Sequence, residues 1–434
     1  MIRNQFDKNL SGMKIFKFGG ASVKDAAAIR NLATILQSYR QDELVVVISA
    51  IGKTTNALEE VVRTYFSGEK AMWKHIETIK SEHFAIIDAL FPDPESPVRN
   101  EVNDLFERLA DSVSVPPSLN YDYEYDQVVS FGELLSTHIV SAYLNENGFP
   151  CRWMDARGCI RTEDTWRKAV IDYELSEELT KETVDFQEEK CYLTQGFIGS
   201  TTSNLTTTLG REGSDFTAAI FGHLLNAESV TIWKDVPGIL NADPQYFDAT
   251  LKLDRLTYRE AVELTYYGAK VIHPKTMKPL FEKNIPLYVR SFLQAGEIGT
   301  VIGGEIHPDE QTPIFVLKRN QVLLTISPKD FSFMGEASIG HIYSMLAGYQ
   351  MEVNMVQQSA LSLSVAVTKP DHDFETLVDE LEEDFDVRYN NGLELLTIRN
   401  YTDAEITRHT SGRRIFVEQR SRRTARFLVK LVVL

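Results

Sequence analysis

The sequence predicts an α/β domain with a mainly parallel sheet, followed by a smaller α+β region. Three observations lead there. From residue 13 to 303, short apolar, β-branched runs alternate with longer segments of helical periodicity. Leu44-Val45-Val46-Val47-Ile48 is apolar without interruption, as expected of a strand covered on both faces. After Gly303-Gly304 the order changes to strand, helix, strand, strand, helix. The chain has 434 residues, enough for two or three domains with a large core.

Residues 1–12 are polar and read as a flexible N-terminus. The first strand, Lys14-Ile15-Phe16-Lys17-Phe18, runs into Gly19-Gly20-Ala21-Ser22 and a helix. Glycines at a strand-to-helix turn allow close approach of a ligand, and the amides of the following helix favour an anion. A tight turn with no ligand is the plainer reading of that motif alone. The strand 44–48 ends in a second small, polar turn, Ser49 to Asn56. Ligands of open parallel sheets sit outside the carboxyl ends of the strands, so the two turns are candidate sides of one site. Residues 57–115 read as a helical lobe punctuated by Pro92, Pro94, Pro97, Pro116 and Pro117. Ser130-Phe131-Gly132-Glu133 enters another helix, where Glu133 could serve only to favour the dipole. Cys151–Asp155 and Cys191–Gly199 read as strands. Thr206–Ala219 is the densest polar stretch, with Ser214 or Asp215 placed as a helix cap and Arg211 between glycine-containing turns, suited to gripping a carboxylate. Val230–Lys234 is a strand followed by Pro237-Gly238 and Asp243-Pro244 turns that could wrap a nucleotide. Lys270 follows a small-residue break. Ile285–Arg290 and Gly299–Ile302 close the domain as strands.

Beyond residue 304, strands are expected at 314–318, 321–326, 353–356 and 361–367, and helices at 338–346 and 374–385. A second, shorter unit holds strands near 393–399, 414–419 and 425–433, with a helix within 402–411. The basic tail (Arg413, Arg414, Arg420, Arg422, Arg423, Arg426, Lys430) reads as a solvated or salt-bridged face.

Composition narrows the function. The formal net charge of -17 opposes nonspecific nucleic-acid binding, so an anionic substrate needs a local basic cluster. No apolar run approaches the length of a membrane span. The first residues lack the apolar core of a signal peptide, and Cys151, Cys159 and Cys191 have neither disulfide-framework nor metal-type spacing. A reducing cytoplasm is the expected location. The Gly-x-x-x-x-Gly-Lys-Ser/Thr phosphate loop and the dinucleotide Gly-x-Gly-x-x-Gly are both absent from the sequence.

Five motifs in order then carry a resemblance: Lys17-Phe18-Gly19-Gly20-Ala21-Ser22-Val23, Ser130-Phe131-Gly132-Glu133, Thr207 through Ala219, Trp233-Lys234-Asp235-Val236-Pro237-Gly238-Ile239, and Gly268-Ala269-Lys270-Val271-Ile272-His273-Pro274. Together they resemble the aspartate kinase family. The resemblance implies the amino-acid kinase fold, a mainly parallel sheet sandwiched by helices, at 13–304. It further implies a regulatory region at 305–434 with tandem α+β, ferredoxin-like ACT units, the first about 313–390 and the second about 391–434. The implied reaction is phosphoryl transfer from ATP, with Mg2+ held mainly by the nucleotide, to the β-carboxylate of L-aspartate. It opens the route to lysine, threonine and methionine.

By resemblance, Lys17, Lys270 and Asp215 are catalytic. Ser49, Thr55, Glu133, Arg211 and Asp215 bind aspartate. Lys17, Gly19, Gly20, Ser22, Lys234, Asp235, Leu240, Gln245 and Lys270 belong to the ATP side. Met334, Gly335, Ser338, Glu352, Val353 and Asn354 fall in the effector segment, with lysine favoured over threonine as effector. A homodimer through the ACT units is expected. His273 beside Pro274 reads as structural. Four positions depart from the family pattern: Glu212 replaces a usual glycine, Lys234 a threonine, and Leu240 and Gln245 stand where a tyrosine and an arginine often meet the nucleotide. Glu212, Leu240 and Gln245 motivate an alternative, a catalytically weak amino-acid sensor of the same fold.

Overall fold

The computed structural model describes residues 12–269, 272–304, 312–330, 332–369 and 373–431. Residues 1–11 of the expected flexible N-terminus therefore lie outside the described residues, as do Lys270 and Val271. The chain forms two compact units. The first comprises Met1–Ile239, Lys252–Val262 and Ile272–Pro308; the second comprises Leu240–Leu251, Glu263–Val271 and Asp309–Leu434. Both are discontinuous in sequence, where the sequence suggests one cut near residue 304.

The first unit is built on ten strands: β1 (Lys14–Phe18), β2 (Leu44–Ile48), β3 (Arg152–Met154), β4 (Cys191–Gln195), β5 (Ile198–Ser200), β6 (Thr206–Thr208), β7 (Ser229–Lys234), β8 (Arg255–Thr257), β9 (Leu287–Ser291) and β10 (Thr300–Gly303). Eight of them make one sheet in the order β3-β4-β2-β1-β7-β9-β10-β8. Only the β9/β10 neighbours run antiparallel. β1 and β2 are buried at every position, which accounts for the unbroken apolar run of β2, while β1 carries Lys14 and Lys17 in the same burial. β1 lies centrally, with Lys17 opposite Val47 on one side and Ile232 on the other. Trp233 of β7 stacks on Phe18 at 5.8 Å, and Phe16 packs edge-on against Tyr39. The helical lobe resolves into Thr54–Phe66, Ala71–Leu90 and Pro97–Ser112.

Several local expectations are corrected. Residues 191–199 are two strands, because Phe197 adopts a left-handed φ of 70° that breaks the run after β4. Thr206–Thr208, the start of the polar stretch, is a strand that pairs with β5 as a hairpin. Tyr121–Val129 is a helix capped by Asn120, whose side chain accepts from the amides of Asp122 and Tyr123. Neither Ser214 nor Asp215 caps the next helix. It starts at Gly213, with Glu212 as the preceding residue, so both lie inside its first turn.

The second unit contains one six-stranded antiparallel sheet. Its strands are β11 (Ile314–Pro328), β12 (Val353–Gln358), β13 (Leu363–Thr368), β14 (Phe385–Arg399), β15 (Arg413–Arg420) and β16 (Thr424–Leu431), in the order β12-β13-β11-β14-β16-β15. The two strands expected at 314–318 and 321–326 are one strand, irregular between Lys318 and Gln321. β14 pairs with β11 along its whole length and with β16 along Glu394–Arg399. Helices Glu336–Gly348 and Phe374–Asp384 cover one half of the sheet. The helix Asp403–Thr410, capped by Thr402, is buried against the other through Ile406.

Candidate active site

A cavity of about 850 Å³ opens in the first unit at the carboxyl ends of β1, β2 and β7. β1 is where the strand order reverses, with β2 on one side and β7 on the other, the usual position of a ligand crevice in such sheets. Lys17 enters from β1 and is nearly buried. Its Nζ lies 2.6 Å from Oδ1 of Asp215, and Nζ of Lys234, at the end of β7, lies 3.7 Å from Oδ2. Burial alone would raise the Asp215 carboxyl, but the two ammonium groups outweigh it and hold the carboxyl below its ordinary range.

At Gly20 the turn after β1 has no room for a side chain. A Cβ on Gly20 would fall 2.7 Å from the carbonyl oxygen of Gly52 and 2.9 Å from that of Ala50. The two turns are thereby packed backbone to backbone, joined by the Gly52 amide donating to the Gly20 carbonyl at 3.1 Å. Ser49 Oγ donates to Ser214 Oγ at 2.8 Å. Gly196 makes the room for Ser214, since a Cβ there would lie 2.4 Å from the serine Cβ.

Glu133 sits in the first turn of the helix Phe131–Glu146 and is 2% exposed. Oε1 accepts from the Ala50 amide at 3.4 Å, while Oε2 is buried with no hydrogen-bond partner. Burial pushes its carboxyl up to about 8, against the smaller opposing effects of the Ala50 amide and Lys17. A buried carboxyl with a free oxygen on a cavity wall is built to meet a cation or donor. Arg211 stands exposed at the same cavity, and no ion pair engages its guanidinium among the described residues.

One further wall was not legible in the sequence. Asp126 is fully buried and accepts four hydrogen bonds. Two come from the Arg167 amide, at 3.2 and 3.0 Å, and two from Thr208, from its amide at 2.9 Å and its hydroxyl at 2.7 Å. Burial raises the Asp126 carboxyl to about 6, with the Thr208 hydroxyl bond the main opposing effect. Asp126 thus ties β6 to the loop that brings Trp166 and Arg167 to the cavity. Arg167 has φ of 63° and its guanidinium lies 4.2 Å from the centre of the Tyr125 ring.

The sequence of this chain matches the amino acid kinase family over residues 12–291. It is 33% identical to the lysine-sensitive aspartokinase 3 of Escherichia coli over 82% of this chain and 79% of that protein. The chain belongs to the aspartokinases of the amino acid kinase family. It is 32% identical to the chloroplastic aspartokinase 3 of Arabidopsis thaliana over 88% of this chain and 70% of that one. The chain spans 42% of the length of a bifunctional aspartokinase/homoserine dehydrogenase from the same plant, at 29% identity. Among solved structures, E. coli aspartokinase III in complex with aspartate and ADP superimposes with a TM-score of 0.79 at 29% identity, covering 96% of both chains. The same enzyme in complex with lysine and aspartate gives the same values. The Clostridium acetobutylicum aspartate kinase, at 21% identity and a TM-score of 0.80, shares the fold.

Of the residues the aspartokinase motifs single out, Lys17, Gly19, Gly20, Ser22, Ser49, Thr55, Glu133, Arg211, Asp215, Lys234 and Asp235 all line the one cavity. Leu240 and Gln245 do not. They lie in the segment Leu240–Leu251 of the second unit, where the Gln245 amide donates to Asp243. Lys270 lies outside the described residues. The Glu212 departure has a structural account. Its φ of 54° lies in the left-handed region that glycine adopts most readily, and its carboxylate accepts from the His273 amide at 3.0 Å. His273 in turn caps the helix Pro274–Glu282, its ring accepting from the Lys275 amide.

The effector-segment residues lie in the second unit. Met334 is buried, Gly335 precedes the helix Glu336–Gly348, and Ser338 is within it. Glu352 and Asn354 share Lys318 Nζ at 2.6 Å each, and Asn354, at the start of β12 beside Val353, donates to Gln321 and Thr368.

Proposed function

We propose that the chain transfers the γ-phosphoryl group of ATP to the β-carboxylate of L-aspartate, giving 4-phospho-L-aspartate. The observation that carries this reading is the buried, partnerless Oε2 of Glu133 in the same cavity as the Lys17–Asp215–Lys234 cluster. That combination suits an ammonium-bearing acid beside a phosphate. The structures of E. coli aspartokinase III with aspartate and ADP support the same reading. Glu133 takes the substrate ammonium, and Arg211 grips its α-carboxylate with two parallel donors. Lys17 and Lys234 offset the repulsion between the two anions and the charge developing on the transferring oxygens. The substrate carboxylate is already ionised, so no general base is required. Transfer then rests on positioning: the Gly19-Gly20 turn brings backbone close to the phosphates, and Ser49 and Ser214 fix the adjoining turn.

Among the described residues there is no cluster of three metal-ligating side chains. The Asp215 carboxylate there is engaged by Lys17 and Lys234, and Mg2+ is proposed to be held mainly by the nucleotide phosphates. Lys270 is assigned to the nucleotide side on the motif alone. Lysine is the proposed effector, through Met334–Asn354, and the ACT sheet the proposed dimer contact. A cytoplasmic location is part of the proposal; among the described residues no helix is long and apolar enough to cross a membrane.

Hydroxamate formation from MgATP and L-aspartate by the folded, purified chain tests the activity; no product would reject it. A sensor of the same fold is the second reading, motivated by the residues Glu212, Leu240 and Gln245. Calorimetry separates the readings, since measurable MgATP binding rejects the sensor.

A further inference from the structure

The second unit holds a cavity of about 320 Å³ that the proposed function does not use. It is formed where the segment Leu240–Leu251 meets the ends of β11 and β14, the helix Asp403–Thr410 and the start of β15. Its apolar part is aromatic. Phe247 and Phe315 stack with ring centres 5.5 Å apart, and the His409 ring lies 4.5 Å from Phe315 and 5.6 Å from Phe247. Phe247, Phe315 and Leu317 are only partly buried, resting on Leu396 and its neighbours in the core below. Burial lowers the His409 imidazole below its ordinary value despite Glu405 at 3.3 Å, so at neutral pH the ring is an uncharged part of this floor.

Arg413 is committed to Glu394 at 2.8 Å. Arg408 and Asp248 are exposed, line the cavity, and have no ion-pair or hydrogen-bond partner among the described residues. One free cation and one free anion around an aromatic floor complement a small zwitterion with an apolar body. The volume is at the lower end of ordinary small-molecule sites, which begin at roughly 300 Å³.

We propose that this cavity binds an L-α-amino acid with an apolar side chain. Arg408 takes its carboxylate, Asp248 its ammonium, and Phe247 and Phe315 its side chain. The site shares no residue with Met334–Asn354, so it is a second amino-acid site of the same unit. It stands whether or not the chain transfers phosphate.

Isothermal titration of the full chain with L-phenylalanine and L-methionine tests the proposal. Saturable binding of at least one is expected. The N-acetyl and methyl-ester derivatives, each lacking one charge, should bind at least about tenfold more weakly. Arg408→Ala and Asp248→Asn should weaken the free amino acid similarly, and both should fold, since neither side chain has a partner to lose. Ser338→Ala should leave this binding unchanged. The proposal is overturned if neither amino acid binds, if binding persists in Arg408→Ala, or if Ser338→Ala abolishes it.

Discussion

Glu133 was legible as a member of the substrate set, but its chemistry comes from burial. Its carboxyl is raised to about 8 in the folded chain against an ordinary value of 4.5. Between those values the folded state holds a proton that the unfolded state has released. Through this group, stability is fully present below about pH 4.5 and declines as pH rises toward 8. Glu133→Gln should abolish that decline, so its thermal midpoint relative to the parent should increase with pH over this interval. The substrate ammonium needs the ionised form. The aspartate KM of the parent should therefore fall as pH is raised toward 8, and that of Glu133→Gln should not; a pH series of initial rates measures both. Lys17→Ala should lower kcat by about 100- to 1,000-fold, the usual effect of removing one charge-stabilising donor. Arg211→Ala should mainly raise the aspartate KM, by about tenfold or more, because binding is lost in ground and transition state together. An unchanged KM would show that Arg211 does not hold the substrate.

The element scale holds what sequence reasoning missed. β6 and the loop carrying Trp166 and Arg167 are held by one side chain, Asp126, from the helix Tyr121–Val129. The run Tyr121–Asp126 is acidic and aromatic throughout, and nothing local marks one of its carboxyls as bonded to residues 41 and 82 positions away. Asp126→Asn keeps the shape but replaces one acceptor oxygen with a donor. It should cost about 1–3 kcal/mol of stability and raise the aspartate KM, seen as a lowered thermal midpoint together with altered kinetics. A lowered midpoint with unaltered KM would confine Asp126 to folding. Gly20→Ala tests the turn in the same way. The methyl group would meet two backbone carbonyl oxygens that cannot yield cheaply, so both stability and turnover should fall.

At the scale of the whole molecule, the second unit is one sheet rather than two separable ones. β11 and β14 both run through it, and Ala425, Phe427, Leu428 and Val429 of β16 are fully buried. A chain ending after Arg399 would leave the largely buried stretch Glu394–Arg399 of β14 as an unpaired edge. It should aggregate rather than yield a soluble kinase, as size-exclusion chromatography would show; a monodisperse truncated chain would mean that the sheet is not cooperative. The strand pattern alone made the second ACT unit look short. Its partner strand, Ile314–Lys318, lies some eighty residues upstream, beyond the reach of local pattern reading.

The sequence by itself determined the α/β class, the central strands and eleven residues that line the cavity. Two-faced burial forces unbroken apolar runs, and phosphate chemistry forces glycine and lysine at fixed places beside a strand end. Only the tertiary structure decided the Asp126 wall, the assignment of Leu240 and Gln245 to the second unit, and the left-handed conformation of Glu212. It also decided the free charges around the Phe247–Phe315 floor. Each of these depends on which distant segments share a wall, and hydrogen bonds and burial across such distances leave no local period to read.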